Sequence, residues 1–179
     1  MESRGPARTI VVVMGVSASG KSTVGRRLAR RLGVPFTEGD DLHPEANIAR
    51  MTAGTALEDS DRAPWLEALA DVIRRTSRTP TGRVISCSAL KRSYRDVLRA
   101  AGPGVFFLHL VLDPARARAR LSQRHGHFMP GALLDSQYRA LEPLQADEPG
   151  VTVDADGDTE AVLRRAEAAV TRFEGPAGG

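Results

Sequence analysis

The sequence predicts an α/β fold: a doubly wound, five-stranded parallel sheet led by a phosphate-binding loop. Three observations carry this. Residues 14–23, MGVSASGKST, place Gly15, Gly20, Lys21 and Ser22 in the spacing Gly-x-x-x-x-Gly-Lys-[Ser/Thr]. Just before them, Thr9-Ile10-Val11-Val12-Val13-Met14 is apolar almost throughout, as a strand covered on both faces must be. Further on, short apolar runs keep alternating with helical patterns, the order that builds parallel sheets.

Each residue type in the loop answers a physical need. Glycines let the backbone curl until consecutive N–H groups face one anion, where side chains would obstruct it. Gly15, Val16, Ser17, Ala18, Ser19, Gly20, Lys21, Ser22 and Thr23 are therefore expected to bind nucleotide. Lys21 supplies a mobile positive charge for the β- and γ-phosphates, and Ser22 a hydroxyl for Mg²⁺. The helix that follows adds its positive end. A tight glycine turn would also contain Gly15 and Gly20, but it would not require a buried strand before it and a helix after it. In that helix Val24, Leu28 and Leu32 share a face, arginines fill much of the rest, and Gly33 then Pro35 end it. Strand, loop and helix in this order imply a nucleoside triphosphate site.

Val34 to Glu38 reads as a second short strand running into Gly39-Asp40-Asp41-Leu42-His43-Pro44. Along a strand, Glu38 and Asp40 would project to one side, with Cα atoms roughly 6–7 Å apart. An acidic, solvated loop is the plain alternative. The position favours function, because the loop after a strand of such a sheet emerges at the carboxyl edge where ligands bind. Residues 45–75 read as helical with a break at 52–55. Pro64, with Asp61 near its cap, signals a helix start. Trp65 is expected in the core, beside the buried face of Leu66, Leu69, Ala70 and Ile73. Arg62 is ambiguous on spacing alone, since an arginine at a helix start is usually just solvated.

Arg83 to Ser88 reads as the third strand, leading into Ala89-Leu90-Lys91-Arg92-Ser93-Tyr94-Arg95-Asp96. Lys91 and Arg95 stand four apart, which could place both on one helical face near that strand's end. Val105 to Leu112 is the fourth strand. Asp113-Pro114 opens a helix in which Arg116, Arg120 and Arg124 share a face. A solvated basic face is the ordinary reading. The following Gly126-His127-Phe128-Met129-Pro130-Gly131 and a returning helix at 133–141 instead favour an arginine-bearing lid, at about residues 114–142, that closes over phosphates. Gly150 to Asp154 is the fifth strand and Thr159 to Phe173 the closing helix. One domain is expected over residues 9–174, with a disordered lead-in at 1–8 and a flexible tail at 175–179.

Composition narrows the class. The chain has 179 residues, is 41% hydrophobic and only 4% aromatic, so its core must be mainly aliphatic. Its formal charge of +3 could fit nucleic acid. No basic surface interleaved with aromatics is visible for stacking bases, so no nucleic-acid partner is expected. Cys87, the single cysteine, permits no internal disulfide and reads as a small buried hydrophobe. No apolar run reaches the ~20 residues of a membrane span, and no signal segment leads the chain. A cytoplasmic location is expected.

The local strings resemble the bacterial-type gluconokinases. The matching pieces are MGVSASGKST, EGDDLHPEANIARM, DRAPWL, CSALKRSYRDVLR, RHGHFMP and LLDSQYRALEPLQADEPG, in the family's order over most of residues 10–150. The resemblance implies sheet order 2-3-1-4-5, ATP and Mg²⁺, phosphorylation of D-gluconate at the 6-hydroxyl, and a homodimer. Two departures stand out: Ala18 where many members have glycine, and His125 where lysine is more usual. A methyl at Ala18 is expected to be tolerated.

On this reading Lys21, Asp40 and Arg120 are the expected catalytic residues. Glu38, through water, and Ser22 would hold Mg²⁺. Asp40 would orient the acceptor hydroxyl and take its proton, and Arg120 and Arg124 would reach the nucleotide. Asp40, His43, Arg50, Arg62, Lys91 and Arg95 are the expected substrate-binding set, arginine forks being suited to a carboxylate. The alternatives are another small-acceptor kinase of this fold, such as a shikimate kinase, and a non-catalytic nucleotide-dependent switch. The DLHP and CSALK segments are not a shikimate kinase pattern.

Overall fold

The computed structural model describes residues 8–124 and 131–175. The lead-in before Arg8, the tail after Gly175 and the expected turn at 126–130 lie outside the described residues, as does His125. Strand β1 (Ile10–Met14) is buried at all five positions, as its unbroken apolar run requires. It pairs in parallel with β3 (Arg83–Ser86) on one side and β4 (Val105–Val111) on the other. Strands β2 (Phe36–Glu38) and β5 (Gly150–Asp154) complete the sheet, in the order β2-β3-β1-β4-β5. Every pair is parallel, so all carboxyl ends meet at one edge.

The two-residue period of a strand sorts the core into two layers. Val11 and Val13, with Phe106, Leu108 and Leu110, pack under α1 (Lys21–Leu32) and α7 (Thr159–Glu174). Val12 and Met14, with Ile85 and Phe107, pack under α3 (Asp59–Thr76) and α4 (Arg92–Ala100). Each such aliphatic side chain removed from water contributes roughly 1.5–3 kcal/mol. A third cluster, Val16, Leu90, Leu112, Ala117 and Leu134, ties α5 (Pro114–Ser122) and α6 (Gly131–Ala140) to the carboxyl edge.

Several local expectations shift. Strand β2 starts at Phe36 rather than Val34 and stops at Glu38, where the chain turns into a single 3-10 turn, Gly39–Leu42. Asp40 therefore leaves the sheet instead of continuing beside Glu38. The break in residues 45–75 falls between α2 (Glu45–Thr52) and Asp59. Helix α3 begins five residues before Pro64, because the Asp61 carboxylate accepts the Glu58 N–H at 2.9 Å and completes an earlier cap. Pro64 lies inside that helix and deprives it of one backbone bond. At α5 the expected start holds: Pro114 is its first residue, and the Asp113 carboxylate accepts the Ala115 N–H at 2.9 Å.

Candidate active site

The phosphate loop is shaped by three left-handed residues, Gly15 (φ 143°), Ala18 (φ 68°) and Gly20 (φ 94°). Interspersed with right-handed residues, such conformations turn consecutive N–H groups toward one side, the concavity an anion needs. Only glycine fits at 15, since a Cβ there would stand 2.6 Å from the Leu110 carbonyl oxygen. The Ala18 methyl is accommodated in the buried loop, at the roughly 1–2 kcal/mol conformational cost that glycine would avoid. Lys21 Nζ donates to the Val16 carbonyl at 3.0 Å. Burial lowers its pKa against the opposing charges of Asp40 and Glu38, and Arg124 adds to the lowering. Arg124 thus stands near enough to the phosphate site for its charge to be felt there. Arg120 donates to the carbonyls of Ala18 at 3.4 Å and Ala155 at 2.9 Å, against the loop itself.

Ser22 Oγ donates to Glu38 Oε2 at 2.6 Å. Ser86 Oγ binds the other Glu38 oxygen, and Arg26 lies 3.7 Å away. A hydroxyl beside a carboxylate is a donor set that suits a hard cation retaining several waters, so the chemistry of Ser22 and Glu38 is compatible with Mg²⁺. Gly39 makes the turn beyond Glu38 possible, because a Cβ there would lie 1.9 Å from the Ser86 carbonyl oxygen.

Beyond the loop opens a cavity of about 280 Å³. Lys21, Ser17, Asp40, His43 and Arg62 all face it, over a floor that includes Trp65 and Leu90. The 3-10 turn that removes Asp40 from the sheet is thus what aims it here. Trp65 is core, as expected, yet also builds the site: its Nε1 donates to the Gly39 carbonyl at 2.8 Å, and the His43 ring stacks on it at 4.2 Å. Asn47 Nδ2 donates to the Asp61 carbonyl at 2.8 Å and lies 3.3 Å from His43 Nδ1, which assigns the ring proton of neutral His43 to Nε2. Burial lowers the His43 pKa, Asp40 opposes this and Arg62 adds to it.

Arg62 lines the cavity. Its guanidinium donates to Tyr94 Oη at 2.8 Å, Tyr94 bonds Asp59, and Lys91 Nζ donates to Asp59 at 3.0 Å. Arg62 and Lys91 both lie beside the Tyr94 ring, 5.4 and 5.7 Å from its centroid, and both line a cleft adjoining the cavity. Lys91, however, caps α4 from outside it in an extended conformation, so it shares no helical face with Arg95.

Two expected substrate contacts do not line the cavity. Arg50 is ion-paired with Asp61 at 2.6 Å and does not line the cavity. Arg95 is fully buried: it bonds both Glu148 oxygens and the carbonyls of Ala89, Leu90 and Pro143. Burial pushes the Glu148 carboxyl up, but Arg95 and the Gln145 amide outweigh it and hold the pKa below its ordinary value. This buried pair fixes the loop in which Ala89 takes a positive φ of 45° and the Ser88 carbonyl accepts the Gly15 N–H at 3.2 Å. Arg95→Leu should cost about 3–5 kcal/mol, because it strands the Glu148 charge in the interior. A lowered urea midpoint with an unchanged slope would report this loss. Cys87 is buried, as expected, and burial pushes its thiol up to about 12.

Sequence reasoning missed Gln137, Ser17's partner across the cavity, and the Tyr94–Asp59 pair under Arg62. Gln137 and Tyr94 lie in strings that carry the resemblance, but no local pattern assigns either a role.

Comparison with known proteins follows the same line. The family model described as shikimate kinase matches residues 17–168. Gluconokinase from Gluconobacter oxydans (strain 621H) is 46% identical over 153 residues, spanning 86% of each chain. Thermosensitive gluconokinase from Escherichia coli (strain K12) is 45% identical, over 89% of this chain and 86% of that one. The chain belongs to the gluconokinase family. A gluconokinase crystal structure from Sinorhizobium meliloti 1021 superposes with a TM-score of 0.85 at 42% identity, over 94% of this chain and 95% of that one. A shikimate kinase from Aquifex aeolicus reaches a TM-score of 0.60 at 16% identity, a likeness of fold alone. Gluconokinases and shikimate kinases thus share this sheet, and the family model's description follows the shared frame. Among the described residues no helix is long and apolar enough to cross a membrane.

Proposed function

We propose that the chain transfers the γ-phosphoryl group of ATP to the 6-hydroxyl of D-gluconate, giving 6-phospho-D-gluconate and ADP. The observation that carries this, beside membership of the gluconokinase family, is one cavity lined by both Asp40 and Lys21, with Arg62 on its wall. Phosphoryl transfer passes through a loose transition state, so positioning and charge neutralisation supply most of the catalysis. The Gly15 to Thr23 backbone and Lys21 hold the phosphates. Ser22 directly and Glu38 through water would hold Mg²⁺, which neutralises phosphate charge when bound.

Asp40 accepts a hydrogen bond from the acceptor hydroxyl, aims it in line and takes its proton late in the transfer. Arg62 and Lys91 meet the gluconate carboxylate, and His43 reads its hydroxyls through Nε2–H. Arg120 and Arg124, on the segment that would close as a lid over 114–142, reach the nucleotide. A single domain over 9–174, a homodimer and a cytoplasmic location belong to the same proposal.

The test is ADP release from ATP and Mg²⁺ with D-gluconate, other aldonic acids, shikimate or nucleoside monophosphates as acceptor. Turnover should be largely confined to D-gluconate, with 6-phosphogluconate as product. Turnover with shikimate instead would overturn the substrate assignment. Tight ATP binding without turnover on any acceptor would replace the enzyme with a switch.

A further inference from the structure

His43 presents its ring to the cavity from the end of the 3-10 turn. The ring lies flat on Trp65, with centroids 4.2 Å and planes 12° apart. Stacking fixes the plane of the ring but not which way round it sits. A half-turn about Cβ–Cγ keeps the stack while exchanging each nitrogen with a ring carbon. Nor does stacking decide which nitrogen of the neutral ring carries the proton. Both choices fall to Asn47.

Asn47 is 5% exposed and stands four residues after His43, on the first turn of α2. It does not line the cavity, so it acts on a ligand only through a neighbour. The Asp61 carbonyl, an acceptor alone, takes its Nδ2–H at 2.8 Å and so settles the amide orientation. The second hydrogen of that NH₂ group is left for His43 Nδ1 at 3.3 Å. Nδ1 must therefore offer a lone pair, and a half-turned ring would offer only a C–H. Asp61 is itself held in the first turn of α3, where its carboxylate takes the Glu58 N–H and pairs with Arg50. One buried amide thus ties a helix start to one edge of the ring.

The tautomer matters because the ring stays neutral. Burial favours the neutral form, Arg62 from α3 supports it, and Asp40 from the turn opposes it. A hydroxyl that accepts from Nε2–H still has its own proton to give to the Asp40 carboxylate. Against the other tautomer it would spend that proton on Nε2 instead.

We propose that Asn47 is a positioning residue for the phosphoryl acceptor: it holds His43 as the Nε2–H tautomer, so that a bound hydroxyl accepts from the ring and keeps its own proton for Asp40. This deepens the kinase reading and rests on it for the hydroxyl's role. The tautomer itself does not depend on which phosphoryl acceptor binds.

The test begins with the ring-nitrogen spectrum of uniformly ¹⁵N-labelled wild type at neutral pH, without ligands. Comparison with His43→Gln assigns the His43 signals among the four histidines. A protonated Nε2 and a bare Nδ1 are expected. A proton on Nδ1, or one averaged over both nitrogens, would overturn the proposal whatever the variants do. Asn47→Asp exchanges the donor for a carboxylate, which should draw a proton onto Nδ1. The His43 pKa should then rise by about one pH unit or more. Fluorescence of Trp65, the only tryptophan, follows that titration, since a protonated ring stacked on it quenches. KM for D-gluconate should rise about tenfold, near the loss of one hydrogen bond, while KM for ATP stays within about twofold. In a His43→Gln background the same substitution should raise KM no further. An increase that persists without His43, or one shared equally by ATP, would show a merely structural role and overturn the proposal. The spectra need no phosphoryl acceptor, so a wild type that shows the Nε2–H ring but ignores D-gluconate would strike the substrate assignment alone.

Discussion

Asp40→Asn is expected to lower kcat by about 10² to 10⁴, the usual contribution of a positioned general base, while ATP affinity changes only a few-fold. The two side chains have nearly the same shape. Asparagine can still accept a hydrogen bond from the acceptor hydroxyl through its amide oxygen, so the gluconate KM should move little. What it cannot do is take the proton. Asp40 is exposed to the cavity on a 3-10 turn and, among the described residues, makes no hydrogen bond to the phosphate loop, so the asparagine amide should leave the loop undisturbed. Its negative charge does oppose the burial that lowers the Lys21 pKa. Its loss therefore favours the neutral lysine slightly, which bounds the expected change in ATP affinity. Steady-state kinetics with calorimetry on the same variant separates the two effects. An equal loss of turnover and ATP binding would mean that Asp40 organises the phosphate site and is not the base.

The parts of this site that could be read from sequence are those coded locally. The phosphate loop needs glycines at fixed spacing next to an apolar run, and both lie within residues 9–23. Asp40 and His43 are within reach because they follow a strand at the sheet's carboxyl edge, a position set by topology, whereas Arg62 is ambiguous on spacing alone. Arg95 was misread for the opposite reason. Its partner Glu148 is 53 residues away, and helical spacing gives no hint of whether an arginine faces substrate or a buried carboxylate. Lys91 and Arg95 looked like one face only on the assumption that the helix included both, but the chain enters α4 after Lys91. Gln137 and Ser17 are 120 residues apart, and a neutral amide carries no charge pattern to draw attention to it. Asp40 reached the cavity by a different path from the expected one. The strand pattern places it beside Glu38; instead Gly39, packed against the Ser86 carbonyl, lets the backbone turn and brings Asp40 to the cavity that Lys21 also lines.

Lys21→Met should abolish measurable turnover and yet leave the free protein at least as stable as wild type. The loss of turnover follows from charge. In the proposed reaction Lys21, the cation of the Gly-Lys-Ser segment, serves both the β- and γ-phosphates, so its removal should cost at least the roughly 10² to 10³ in kcat that one preorganised donor supplies. The stability side follows from the direction of its pKa. Burial disfavours the ammonium, so the folded-state pKa is lowered below 10.5. A base whose pKa is depressed by folding destabilises the fold while it is charged. Stability therefore rises as pH climbs through the lowered folded value toward the unfolded one, and the penalty is fully present below the folded value. Methionine keeps most of the stem's volume and removes the charge, at the loss of the Val16 hydrogen bond alone. A thermal melt at neutral pH should place Lys21→Met at or above the wild-type Tm, and the difference should shrink as the pH is raised into the range where Lys21 itself becomes neutral. A variant that is both inactive and clearly less stable at neutral pH would show instead that Lys21 holds the loop together, with the lysine–Val16 bond outweighing the cost of the buried charge. The expected result places the strain of this fold at the point where it binds phosphate: a buried cation that the free protein tolerates and that a polyphosphate neutralises.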